Sequence, residues 1–140
     1  MKKDKNNKII KGFTCGAFDL LHAGHLIMLE EIRKQCDFLI IGLQTNPQID
    51  RKEKNKPIES LKERKIRLQG CRYVDKIIIY RTEADLYKLL KQLKPDVRFV
   101  GIDHKGKPFT GDDLPIKIIY NSRSHNYSSS NLLKRIRKQK

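Results

Sequence analysis

The ten-residue segment 16–25, GAFDLLHAGH, contains the side chains best suited to chemistry. Its two imidazoles, His22 and His25, are three residues apart at the predicted start of a helix. The first N–H groups of a helix lack backbone partners and, together with the helix dipole, favour an anion. Gly24 lets a ligand approach the backbone closely. The segment is therefore predicted to bind a polyphosphate, with both histidines donating hydrogen bonds to oxygens that gain charge as a bond to phosphorus breaks.

Two other roles for these histidines stay open. Asp19, His22 and His25 recur at three-residue intervals and could bind zinc, but a zinc site needs a further ligand and only Cys15 is near in sequence. Alternatively, the two histidines only cap the helix and pack against it. Of the three interpretations, phosphate binding is the one that uses the helix start, the glycine and both rings together.

The charge balance favours an anionic partner. The 140-residue chain has 31 Lys and Arg against 16 Asp and Glu, which gives a formal net charge of +15. Such an excess is typical of proteins that bind nucleic acid, membrane surfaces or phosphorylated small molecules. Much of it lies at the two ends, where a solvated surface is the simpler interpretation. A further internal group could line a phosphate pocket: Arg51, Lys52, Lys54, Lys56, Lys62, Arg64, Lys65 and Arg67.

The sequence argues against membrane and secreted classes. No apolar run approaches the roughly 18 to 20 residues of a membrane span, and the basic start lacks the apolar stretch of a secretory signal. Cys15, Cys36 and Cys71 are widely spaced and form no C-x-x-C pair, which favours reduced thiols over a disulfide framework. We therefore expect a soluble, cytoplasmic protein that does not contact a membrane.

Strands and helices alternate along the predicted chain. Strands are expected at residues 9–15, 37–44, 75–80, 97–100 and 116–120. Helices are expected at residues 23–36, from Ser60 to about Gln69, from Thr82 to Pro95, and after Ser128, the last three each with a plausible cap. This order predicts an α/β fold, a Rossmann-like doubly wound, mostly parallel five-stranded sheet with helices on both faces. Residues 1–8 are expected to form a basic, disordered tail and residues 9–140 a single domain.

The motif G-x-F-D-x-x-H-x-G-H of segment 16–25 resembles the signature of the cytidylyltransferase family of nucleotidyltransferases. Other segments agree with this family in order. Glu63-Arg64-Lys65 and the R-Y-V-D of residues 72–75 are similar to elements of the short bacterial glycerol-3-phosphate cytidylyltransferases. Gly101-x-Asp103 follows the fourth strand, and residues 123–130 resemble the R-T-E-G-I-S-T-T segment before the last helix. The resemblance covers about residues 10–136.

The resemblance implies a reaction between two bound phosphate compounds. The phosphate of an acceptor would attack the α-phosphorus of a nucleoside triphosphate in line, and magnesium pyrophosphate would leave without a covalent enzyme intermediate. Mg²⁺ is accordingly the expected cofactor. The family likeness also implies a homodimer.

The resemblance assigns roles to individual positions. The implied catalytic residues are His22, His25, Lys52 and Arg123. The implied nucleotide-binding residues are Gly16, Ala17, Asp19, His22, Gly24, His25, Lys54, Asp103, Arg123, Ser128 and Ser129. The implied acceptor-binding residues are Lys52 and Arg72, although Arg72 could contact a neighbouring subunit instead. Residues 105–113 either shape the acceptor pocket or form a surface turn, and the turn is the preferred interpretation.

The first functional expectation is transfer of CMP from CTP to glycerol 3-phosphate, which gives CDP-glycerol. The alternative is an ATP-dependent adenylyltransferase that acts on a sugar phosphate such as heptose 1-phosphate, because Lys94-Pro95-Asp96-Val97 and Gly101-x-Asp103 also suit that branch. A nucleic-acid-binding module ranks below both. Its surface would interleave aromatic with basic residues, whereas aromatics are only 7% of the chain and several belong to predicted strands.

Overall fold

The fold was derived from a computed structural model, which describes residues 8–122 and 125–139. Within these residues five strands form one sheet: β1 (Lys11–Gly16), β2 (Phe38–Gln44), β3 (Lys76–Tyr80), β4 (Val97–Gly101) and β5 (Lys117–Asn121). Their order is β3-β2-β1-β4-β5 and every pairing is parallel. The predicted Rossmann-like α/β fold is confirmed, with a wholly rather than mostly parallel sheet. The strand order reverses beside β1, where folds of this kind bind ligands at the carboxyl ends of the strands.

Three of the four helices of the described residues begin at the caps that the sequence predicts. The four helices are α1 (Ala23–Arg33), α2 (Leu61–Gln69), α3 (Glu83–Leu93) and α4 (Ser129–Lys138), with short 3-10 helices at Pro47–Ile49 and Ile102–His104. Ser60 and Thr82 each complete a capping box, and Ser128 caps α4. Helix α1 ends three residues earlier than residue 36, because the chain turns after Arg33 to reach β2.

Each face of the sheet is covered by helices, as predicted. One core cluster joins Leu29 and Ile32 of α1 and Leu68 of α2 to alternate strand residues such as Leu39 and Ile41. The other joins Leu86 and Leu90 of α3 to Phe13, Ile40 and Tyr80. We refer to this second side as the α3 face. Nowhere in the described residues is a helix both long enough and apolar enough to cross a membrane.

An aspartate before each of three strands fixes the amino edge of the sheet. Asp37, Asp75 and Asp96 precede β2, β3 and β4, and each carboxylate accepts a hydrogen bond at 2.8 Å from a backbone N–H on or beside the neighbouring strand. A backbone N–H at a sheet edge needs such a partner when it is shielded from water. These bonds hold the register, and the register in turn sets where the strands end on the opposite, carboxyl edge.

Candidate active site

The two histidines of segment 16–25 form the N-terminal cap of α1. His22 is the N-cap, and its Nδ1 accepts a hydrogen bond from the N–H of Gly24 at 3.1 Å. His25 Nδ1 accepts one from the N–H of His22 at 3.2 Å. The rings are stacked, with centroids 3.9 Å apart. Because His25 Nδ1 acts as an acceptor, its neutral ring carries its proton on Nε2, and Nε2–H is the group that can donate.

The surroundings of His25 keep its ring neutral. Burial first, and then the neighbouring His22, lower its pKa to about 4, and Asp19 opposes these effects only in part. At neutral pH the ring is therefore uncharged and donates from Nε2–H. A neutral donor held in place by its own Nδ1 bond is suited to stabilise charge that develops on a phosphate oxygen.

Gly24 leaves room for two imidazole rings. A Cβ built at this position would lie 2.6 Å from Cε1 of His125 and 3.0 Å from Cε1 of His22. Gly24→Ala should therefore displace these rings and weaken binding of a nucleoside triphosphate by about tenfold, equivalent to about 1.4 kcal/mol. Calorimetric titration with a non-hydrolysable triphosphate measures this change.

The matched control for Gly24→Ala is Gly70→Ala. A Cβ at Gly70 would meet only backbone atoms at ordinary distances, 3.5 Å to the carbonyl oxygen of Arg67 and 3.8 Å to that of Ile66. The control should bind the triphosphate as the wild type does. Equal affinities for all three proteins would show that the tight packing around Gly24 has no part in binding.

Two cavities meet at the start of α1. The larger, of about 530 Å³, opens on the α3 face at the carboxyl ends of β1, β2 and β4. The smaller, of about 280 Å³, lies between the starts of α1 and α4. His25, Met28 and Gly101 line both cavities. A group bound in one cavity can therefore approach a group bound in the other beside the His25 ring.

The smaller cavity collects most of the predicted nucleotide-binding residues. Its lining includes His22, Gly24, His25, Asp103, Ser128 and Ser129. The N-terminus of α4 joins that of α1 here, and Ser129 Oγ donates a hydrogen bond to the backbone oxygen of Asp19 at 3.3 Å. Two helix N-termini that face one cavity make it favourable for an anion.

Other predicted residues line the larger cavity. Gly16, Ala17 and Lys54 line it, whereas the exposed Lys52 is not among its lining residues. Arg51, which was predicted only as one member of the internal basic group, does line it and pairs with Glu83 at 2.7 Å. Pro108, Phe109 and Thr110 form part of its wall. Segment 105–113 is thus both a turn and a cavity wall, and the preference for a surface turn described only its exposed first half.

Asp19 organises the site through backbone contacts. Its two carboxylate oxygens accept hydrogen bonds from the N–H groups of Ile58 and Glu59, at 2.8 and 2.9 Å. Glu59 Oε1 in turn accepts one from the N–H of Leu20 at 2.9 Å. These bonds fasten the loop before α2 to segment 16–25. Among residues 8–122 and 125–139 no group of three His, Cys, Asp or Glu side chains could hold a metal ion, so the zinc interpretation gains no support there.

The remaining predicted residues lie elsewhere. Arg72 precedes β3 at the amino edge of the sheet, where its guanidinium contacts the Tyr73 hydroxyl. The structure therefore does not bring Arg72 to the cavities of its own chain, and a contact with a neighbouring subunit stays a prediction. Arg123, and Ser124 beside it, lie outside the described residues. So does the predicted tail, apart from Lys8, which pairs with Asp96.

Three buried polar residues support the site: Gln44 and Arg98 were not singled out from the sequence, and Arg64 was named only within the internal basic group and the family resemblance. Arg64, only 2% exposed, donates to four backbone oxygens of the loops that end β1 and β2 and precede α2. Arg98 and Gln44 are buried on the α3 face, and both line the larger cavity. The sequence carried two signals for Arg98 and Gln44. Arg98 is a charged residue inside the apolar strand VRFVG, and Gln44 ends the apolar run of β2.

A doubly wound parallel sheet, an imidazole-capped helix start at its switch point and two adjoining cavities suit a protein that brings two phosphate compounds together, as a nucleotidyltransferase does. The model of the family described as cytidylyltransferase-like matches residues 13–135, and the chain belongs to this family. It is therefore an enzyme of a nucleotidyltransferase family.

The chain is also similar to curated relatives and to solved structures. The chain is 35% identical over its full length to the bifunctional protein HldE of Helicobacter hepaticus, and 35% identical over 91% of its length to HldE of Campylobacter concisus. It spans only 29% and 27% of the lengths of these two relatives. A lipopolysaccharide core biosynthesis protein from Thermoplasma volcanium superposes with a TM-score of 0.66 at 26% identity, over 86% of this chain and 99% of that one. Pantoate-beta-alanine ligase from Francisella tularensis shares the fold, with a TM-score of 0.58 at 17% identity over 89% and 65% of the two chains.

Proposed function

We propose that this protein is an adenylyltransferase that transfers AMP from ATP to a sugar phosphate such as heptose 1-phosphate. An oxygen of the sugar phosphate attacks the α-phosphorus of ATP, a new P–O bond forms, and the bond between the α-phosphorus and the bridging oxygen breaks. Pyrophosphate leaves with the electron pair of that bond. The products are an ADP-sugar and pyrophosphate.

The observation that carries this proposal is the position of His25 between the two cavities. The smaller cavity suits the triphosphate because two helix N-termini face it. The larger cavity suits the acceptor because basic side chains and polar groups of the strand ends line it. His25 Nε2–H then donates to the phosphate oxygens at the point where the two substrates react.

The choice of substrates rests on the relatives and on the placement of one motif. The likeness to HldE favours adenylyl transfer to a heptose phosphate over the CTP and glycerol 3-phosphate reaction. The Thermoplasma volcanium structure is a lipopolysaccharide core biosynthesis protein, which suits activation of a sugar for saccharide synthesis. Residues 72–75, which suggested glycerol 3-phosphate, lie at the amino edge of the sheet, where Asp75 bonds the N–H of Leu39. Within its own chain that segment supports the fold and reaches neither cavity.

In this proposal Mg²⁺ binds together with the triphosphate. Mg²⁺ is usually held by substrate phosphates plus one or two carboxylates, and it keeps several waters. Both oxygens of Asp19 already accept backbone hydrogen bonds, so this carboxylate is engaged in positioning the loop. The ion would therefore be brought by ATP as its magnesium complex and leave with pyrophosphate.

A matrix of triphosphates and acceptors tests the proposal. Purified protein is incubated with ATP or CTP, Mg²⁺, and either heptose 1-phosphate or glycerol 3-phosphate, and released pyrophosphate is measured. We expect pyrophosphate only with ATP and heptose 1-phosphate. Release with CTP and glycerol 3-phosphate would replace the proposal with the first expectation from the sequence, and release with no combination would refute both.

A further inference from the structure

Unpaired hydrogen-bond donors are concentrated at the larger cavity. Among the described residues, five buried side-chain N or O atoms lack a hydrogen-bond partner. Three of them are nitrogen donors on residues that line this cavity: Nε2 of Gln44, Nε of Arg51 and Nε of Arg98. Leaving such a donor buried and unpaired costs about 1–3 kcal/mol each, so their presence calls for a physical reason. We refer to Gln44, Arg51 and Arg98 as the unpaired donor group.

The sheet brings two of these donors to one surface. Gln44 ends β2 and Arg98 lies in β4, and both side chains are on the α3 face with about 5% or less of their surface exposed. Arg98 donates through Nη1 to the backbone oxygen of Thr110, which holds the cavity wall at residues 108–110. Its Nη2 lies 3.8 Å from Cys15 Sγ and its guanidinium lies over the Phe109 ring. The guanidinium is thereby fixed while its Nε is left for another acceptor.

The charges of the larger cavity suit an anionic, oxygen-rich ligand. Arg51, Lys54 and Arg98 contribute positive charge, and Glu83, which is already paired with Arg51, contributes negative charge. The Cys15 thiol and the Tyr80 hydroxyl of the inner wall add no charge, because burial raises the pKa of each further above its ordinary value. A ligand with one phosphate and several hydroxyl oxygens would supply acceptors to the donors and negative charge to the cations.

We infer that the unpaired donor group is the acceptor subsite, in which Gln44 and Arg98 bind hydroxyl or phosphate oxygens of the acceptor and thereby select a polyhydroxylated phosphate. This inference rests on the proposed function, since it takes the larger cavity to be the acceptor side of a nucleotidyl transfer. It assigns acceptor recognition to strand residues of the α3 face, rather than to Lys52 and Arg72. The triphosphate, in the smaller cavity, makes no contact with Gln44.

The test compares Gln44→Leu with the wild type. Leucine keeps the approximate volume but removes the donor, so we expect the KM for the acceptor to rise by about tenfold or more, as for a lost hydrogen bond to a substrate, while the KM for ATP stays within about twofold. The matched control is Gln92→Leu on the exposed surface of α3, which should leave both KM values unchanged. Thermal unfolding of both variants shows whether the fold is retained.

The kinetic result separates this inference from the proposed function. If the wild type uses CTP and glycerol 3-phosphate, the proposed function fails, and the KM of Gln44→Leu for glycerol 3-phosphate still tests the subsite. An unchanged acceptor KM, or a rise confined to the KM for the nucleotide, would overturn the inference. If the wild type turns over neither pair, the side-chain amide resonance of Gln44 is followed by NMR during titration with heptose 1-phosphate and with glycerol 3-phosphate. A shift with either compound supports the subsite, and no shift with both refutes it.

Discussion

Replacing His25 by asparagine is expected to lower kcat by about a hundredfold or more while α1 and the rest of the fold stay intact. Loss of one preorganised donor to a transition-state oxyanion typically costs a factor of about 10² to 10³. The asparagine side-chain oxygen can still accept the hydrogen bond from the N–H of His22 that His25 Nδ1 accepts at 3.2 Å. The substitution therefore keeps the acceptor for the α1 cap, and it removes Nε2–H together with the ring that stacks on His22. Initial rates of pyrophosphate release at saturating substrates measure the effect.

Two further variants separate the catalytic contribution of His25 from its capping role. His25→Gln places a side-chain amide N–H near the position of Nε2 but loses the Nδ1 acceptor, so it should recover part of the lost turnover and lose some stability. Ile27→Ala, on an exposed position of the same helix, should leave kcat unchanged. Wild-type turnover in His25→Asn would contradict the assignment of His25 as a transition-state donor.

The geometry of segment 16–25 could be predicted because one contiguous stretch of sequence encodes it. Segment 16–25 supplies the end of β1, the turn and the cap of α1, so its two histidines need no distant contact to come together. The strand and helix order was likewise predictable, since the apolar runs and caps are local signals. Asp103 and Ser128 were placed correctly beside this segment only through the family resemblance, which supplied the long-range pairing.

The acceptor side could not be predicted in the same way. Gln44 and Arg98 come from strands that are adjacent to β1 on opposite sides, and only the order β2-β1-β4 puts them in one cavity. Lys54 lines the larger cavity whereas Lys52, two residues earlier, is exposed. This difference depends on the geometry of the loop, which the sequence does not specify. Arg64 was counted with the basic group as a possible phosphate contact, whereas its guanidinium binds backbone oxygens of the protein itself.

Replacing Arg64 by methionine is expected to lower the free energy of unfolding by about 3 kcal/mol or more, since removing one partner from a buried charged network leaves its acceptors unpaired. The guanidinium donates to the carbonyl oxygens of Ala17, Gln44, Thr45 and Glu59 at 2.6–3.2 Å. These oxygens belong to the three segments that form the carboxyl edge beside β1. Urea unfolding followed by circular dichroism measures the change.

The matched control for Arg64→Met lies in the same helix, α2. Lys62→Met removes a positive charge from an exposed position of the same helix and should change the unfolding free energy by less than about 0.5 kcal/mol. Arg64→Lys keeps the charge but replaces the planar fork with a single ammonium, which cannot span four carbonyl oxygens, so its stability should lie between those of the wild type and Arg64→Met. If Arg64→Met instead matched Lys62→Met in stability, the carbonyl oxygens would have found other partners. The carboxyl edge, and with it the position of segment 16–25, would then not depend on the buried guanidinium.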